Sequence, residues 1–66
     1  MKKETTICKS PNGTKFNKGQ KVCSHGDEST YGWIDCWDEE NDCWKLTTGT
    51  EGAYKWWPEG EPELIS

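Results

Sequence analysis

The sequence has no arginine and few of the aliphatic residues that normally build a core. All eight of its cations are lysine. Without a guanidinium it lacks the bidentate contacts through which proteins commonly read guanine and grip phosphate, so direct nucleic-acid binding is not expected. Val, Ile and Leu together number six, namely Ile7, Val22, Ile34, Leu46, Leu64 and Ile65. No stretch approaches the apolar length of a membrane-spanning helix, so no membrane association is expected. The start MKKETTICKSPNG also lacks the apolar run of a secretory leader, and a cytoplasmic protein is the expectation.

What is present must compensate. A chain of 66 residues reads as a single domain, 1–66, and one so short buries only about 60% of its unfolded surface. Five tryptophans, Phe16, Tyr31 and Tyr54 must therefore carry much of the burial, each large ring removing roughly 150–250 Å² from water. Cys8, Cys23, Cys36 and Cys43 would form a disulfide framework in a secreted chain, but in the cytosol they are expected as reduced thiols. Asn12-Gly13-Thr14 matches a glycosylation acceptor, yet Pro11-Asn12-Gly13 is more simply a turn. The net charge of −4 is uneven: residues 1–22 hold six lysines against Glu4, and the remainder holds Lys45 and Lys55 against eleven carboxylates. That asymmetry points to an oriented electrostatic surface.

Glycine and Pro/Asn punctuation at short intervals, without a sustained helical period, predicts an all-β fold of short strands. The expected strands are 5–9, 20–24, 32–37, 43–47 and 53–57, the last ended by Pro58, which cannot donate to a central ladder. Residues 61–65 read as one helical turn returning Leu64 to the core. In the hairpin around DEEND, Ile34 opposite Leu46 sets Cys36 opposite Trp44 inward and Asp35 opposite Lys45 outward as a charge pair. Extended across the TTGTEG loop, this register makes Tyr54 and Trp56 inward. It puts Lys55 and Trp57 on the outer face with Trp37 and Cys43, and Trp33 one row further along.

The succession KFNKGQKV, YGWIDCW, CWKL and YKWWPEGEPEL resembles small bacterial and phage SH3-like barrels over about residues 15–65. The resemblance implies a five-stranded, strongly bent barrel with a short C-terminal helical turn and no particular activity. The end GAYKWWPEGEPELIS also looks like the end of type II dihydrofolate reductases, small barrels that build one active-site pore from a tetramer. In that family a V-Q-I-Y segment binds cofactor and substrate. Here its positions are Tyr54, Lys55, Trp56 and Trp57, so the glutamine and isoleucine are gone, and only the barrel carries over.

Chemistry-bearing groupings are weak. The cysteines and His25 lack the paired knuckles of a structural zinc site, so no metal is expected. Asp38-Glu39-Glu40-Asn41-Asp42 lacks the spacing of a calcium loop and reads as a solvated turn. Cys23 and His25 have no evident orienting group or oxyanion site, so neither catalysis nor a cofactor is expected. The outer aromatic row is the remaining candidate. It suggests a non-enzymatic protein-binding module that docks through Trp33, Trp37, Cys43, Lys55 and Trp57, rimmed by Asp38, Glu39, Glu40 and Asp42. The resemblance to stand-alone phage barrels extends this to a phage or mobile-element inhibitor of a host protein, as a monomer or homodimer. Three other readings stay open: an acidic mimic of nucleic acid, an aromatic cage of Trp33, Trp37 and Trp57 for a methylated amine, and a tetrameric reductase-like enzyme.

Overall fold

The computed structural model describes residues 6–65, and they are all-β. Seven strands run as β1 (Ile7–Lys9), β2 (Lys15–Asn17), β3 (Lys21–Ser24), β4 (Asp27–Asp38), β5 (Cys43–Thr47), β6 (Tyr54–Trp57) and β7 (Pro62–Leu64). They form two sheets, a β1-β2 hairpin and an antiparallel five-stranded sheet in the order β6-β5-β4-β3-β7. The expected closed barrel is not formed: β6 and β7 are opposite edges of an open sheet, and no pairing joins them among the described residues.

Local chemistry sets the connections. β3 and β4 meet through a two-residue turn in which His25 (φ 49°) and Gly26 (φ 81°) both take positive φ. This is the mirror-image turn whose twist matches a hairpin. β4 and β5 are joined over residues 39–42, where the Asp38 carboxylate accepts from the backbone N–H groups of Glu40 (3.0 Å) and Asn41 (3.2 Å). Strand β5 has the expected bounds, and β6 ends at Trp57 before Pro58, as the missing donor requires.

Two further expectations are corrected. The C-terminal helical turn is instead β7, whose Pro62, Glu63 and Leu64 pair with Ser24, Cys23 and Val22 of β3. A single helical turn fixes several dihedrals for one hydrogen bond, whereas the free edge of β3 offers a ready ladder, and a proline is tolerated as the first residue of an edge strand. Leu64 consequently stays 62% exposed rather than returning to the core.

The second correction is register. Ile34 does face Leu46, but a β-bulge at Asp35 then sets Cys36 opposite Lys45 and Trp37 opposite Trp44. Between β5 and β6, Trp44 faces Trp57, Lys45 faces Trp56, Leu46 faces Lys55 and Thr47 faces Tyr54. This differs by one residue from the alternation-based register, and a one-residue slip exchanges the two faces. Trp57 is therefore a core ring at 7% exposure, and Trp56 is the outer one at 47%.

The core is one cluster of Cys8, Phe16, Val22, Ile34, Trp44, Leu46 and Trp57, with Cys36 and Trp37 packed against it. Trp44 sits at its centre, edge-to-face with Phe16 (5.2 Å, 78°) and with Trp37 (5.2 Å, 85°). Perpendicular arrangement of this kind suits the ring quadrupoles.

Candidate functional site

Strands β4, β5 and β6 present the outer face on which the exposed aromatics lie. The Trp56 indole reaches across β5, and its Nε1–H donates to Asp38 Oδ2 at 2.9 Å. The same oxygen accepts from Asn41 Nδ2 at 2.8 Å, so one carboxylate caps the hairpin and holds the indole. These contacts keep the Asp38 carboxyl below the usual carboxylate range, the Asn41 side-chain amide contributing most and the Trp56 indole next. Tyr54, two residues before Trp56 and so on the same face, is 42% exposed, with ring centroids 6.4 Å apart. The Lys45 ammonium stands 4.2 Å from the Tyr54 ring centroid. A shallow cleft of about 430 Å³ adjoins, lined by Cys36, Trp37, Asp38, Glu39, Glu40 and Lys45.

The sequence-predicted docking residues divide. Glu39, Glu40 and Asp42 are exposed at the hairpin tip, with Asp38 and Cys43 half-buried beside them. Trp37 is half-buried against Trp44. Trp33 stands in the row of Thr47 and Tyr54 but is half-buried, edge-on to Tyr31 (5.5 Å, 86°), with the Lys21 ammonium over both rings at 4.7 Å from Tyr31 and 5.8 Å from Trp33. Trp57 is inside. Lys55 lies on its side of the sheet, the ammonium 5.3 Å from the Trp57 ring and donating to the Tyr31 carbonyl at 2.9 Å. A cage of Trp33, Trp37 and Trp57 open to solvent is thus not assembled. Trp56 and Tyr54 were missed because the alternation rule placed them inward, and in a Trp-Trp doublet hydropathy alone does not say which ring faces water.

Elsewhere two carboxylates are committed to structure. Glu59 accepts from the Ser10 hydroxyl and from Asn12 Nδ2 (2.6 Å), tying the β1-β2 turn to the segment after β6. Ser10 first, then Asn12, hold its carboxyl below the ordinary range. Glu61 accepts from the Ser24 hydroxyl at 2.6 Å. Burial raises the thiol pKa values of Cys8, Cys36 and Cys43, and all four cysteines are free. Among the described residues no three His, Cys, Asp or Glu side chains converge as metal ligands, and no helix is long and apolar enough to cross a membrane.

The fold and face define a small all-β protein with an aromatic outer surface. No family model matches the chain, and no curated protein or solved structure is significantly similar to it.

Proposed function

We propose that the chain is a small, non-enzymatic protein-binding module that docks through the Tyr54-Trp56 face onto a partner bearing basic residues. The observation that carries this reading is the Trp56–Asp38 hydrogen bond. A tryptophan 47% exposed is held in one orientation by an acceptor that is itself held by three further donors. A locked aromatic anchor loses little rotamer entropy on docking, which is what interface hot spots require. The rim supports a basic partner, since Asp38, Glu39, Glu40 and Asp42 gather in the hairpin at one end of the face, with Lys45 the cation in the cleft beside the first three.

Mimicry of nucleic acid is less well supported, because Glu59 and Glu61 are engaged by Ser10, Asn12 and Ser24 and do not extend the acidic tip. The sequence resembles small bacterial and phage SH3-like barrels over about residues 15–65, although its described residues form an open sheet rather than a closed barrel. On that resemblance the module is a cytoplasmic phage or mobile-element protein and its partner a host factor that it inhibits. The test is affinity capture with the intact chain and with Trp56→Ala, each checked to be folded. A partner retained by the first should lose about 2 kcal/mol or more of affinity for the second. Equal retention by both sinks the reading.

A further inference from the structure

Strand β6 is the edge of the five-stranded sheet, and among the described residues it pairs with β5 alone. Sheet edges are usually blunted by proline, a bulge, a charge directed at the edge or a covering loop. The other edge, β7, begins with Pro62. Strand β6 contains no proline, and its register with β5 runs without a bulge. Its one charge, Lys55, is turned back across the sheet to the Tyr31 carbonyl of β4 and so does not guard the edge. The strand therefore offers a backbone ladder directly beside the anchored indole.

We infer that the partner binds as an extended segment added antiparallel or parallel to β6, with a lysine or arginine at the position opposite Trp56. This rests on the protein-binding reading above and adds its mode and chemistry. Strand addition draws affinity from main-chain hydrogen bonds and specificity from alternate side chains. A residue opposite Trp56 projects on the Trp56 face. A long basic side chain there lies along the indole, where a cation is attracted by the ring, on the face whose far end carries the Asp38 carboxylate that holds the indole N–H. The next residue of the segment points to the other face, where Lys55 and Trp57 lie, and an apolar side chain suits it.

The experiment uses the full chain, immobilised, to select binders from a library of short randomised linear peptides. Selected peptides are remade with backbone N-methyl groups at alternate residues, in each of the two possible phases, and with the basic residue changed to glutamine. Strand addition predicts that one phase of methylation, the one facing β6, weakens binding about tenfold or more while the other phase does not. It also predicts that the glutamine form is weaker and that binding perturbs the amide resonances of residues 54–57. Peptides that require Trp56 yet bind equally in both methylated phases overturn strand addition and leave the face-docking reading standing. Selected peptides without a basic residue overturn the chemistry assigned to the segment. A library that yields no Trp56-dependent binder overturns both readings. Should the protein alone size as a dimer that Trp56→Ala breaks, the occupant is a second copy and the inference fails.

Discussion

Asp38 is the side chain on which most of the outer face depends. Two backbone N–H groups, the Asn41 amide and the Trp56 indole all donate to it. Such donors favour the ionised form, so its folded-state pKa lies below its unfolded value. The stabilisation is thus present above the unfolded pKa, about 3.9 for aspartate, and is lost as the pH falls through the folded value. The indole N–H resonance of Trp56 should hold steady at neutral pH and move only in that acid window. In Asp38→Asn the resonance should not titrate there, and a Trp56 resonance that follows the same acid curve in both proteins would contradict the hydrogen bond. The thiols show the opposite sign. Burial, with Asp35 beside Cys36 and with Asp38 and Asp42 near Cys43, disfavours the thiolate. Alkylation near pH 8 should therefore run several-fold slower on the native protein than on the unfolded chain, because the thiolate is the nucleophile. Equal rates would mean that these thiols are not shielded as the structure has them.

At the scale of the strand, the Trp56-Trp57 doublet gives a direct test of register. Trp57→Ala empties a core position and should destabilise the protein by about 3–5 kcal/mol. Trp56→Ala removes a half-exposed ring and should cost about 1 kcal/mol or less, the ordinary range for a surface change plus one hydrogen bond. Denaturant melts of the two variants check this, and the reverse ranking would restore the alternation-based register. Gly32 offers a second check on β4. A Cβ built there would lie 3.2 Å from both Leu46 Cδ2 and the Thr47 carbonyl oxygen, so Gly32→Ala should destabilise by about 1–3 kcal/mol through overpacking.

Much of the strand framework was legible in the sequence: β5 to the residue, the end of β6 at Pro58 and the Ile34-Leu46 pair. The bulge at Asp35 was not, because an extra residue in one strand leaves the hydropathy pattern of its neighbours intact while shifting every later pair. The shift between β5 and β6 likewise leaves Trp44 opposite a tryptophan, since one stands at both 56 and 57, and only the Leu46-Lys55 and Lys45-Trp56 pairs betray it. Strands β2 and β7 were too short to show a period, whereas the burial of Phe16 followed from the shortage of aliphatic residues. Glu39, Glu40 and Asp42 are thus exposed as the acidic turn predicts, while Asp38 is half-buried and the Trp56-Trp57 doublet was read one residue out of place.

For the whole molecule, the question is whether two sheets make one cooperative unit. The β1-β2 hairpin is tied to the larger sheet at its turn by Ser10 and Asn12 to Glu59, and along its length by the Cys8 thiol donating to the Asp35 carbonyl (3.3 Å). Its Phe16 ring completes the same core as Trp44, which is wholly excluded from solvent. A chain of 66 residues at about 0.05–0.15 kcal/mol per residue holds roughly 3–10 kcal/mol in total. Phe16→Ala, costing about 3–5 kcal/mol, removes a large share of that. If the two sheets share one core, the variant should unfold in a single transition at much lower denaturant. Tryptophan fluorescence and amide exchange in β3, β4 and β5 should then lose stability together. If the hairpin were only an appendage, amide protection in those three strands would stay at its original level while β1 and β2 alone came loose. The placement of Trp44 between Phe16 and Trp37 argues for the first outcome, because a cavity on one side of the central ring leaves no separate core beneath it for the larger sheet to keep.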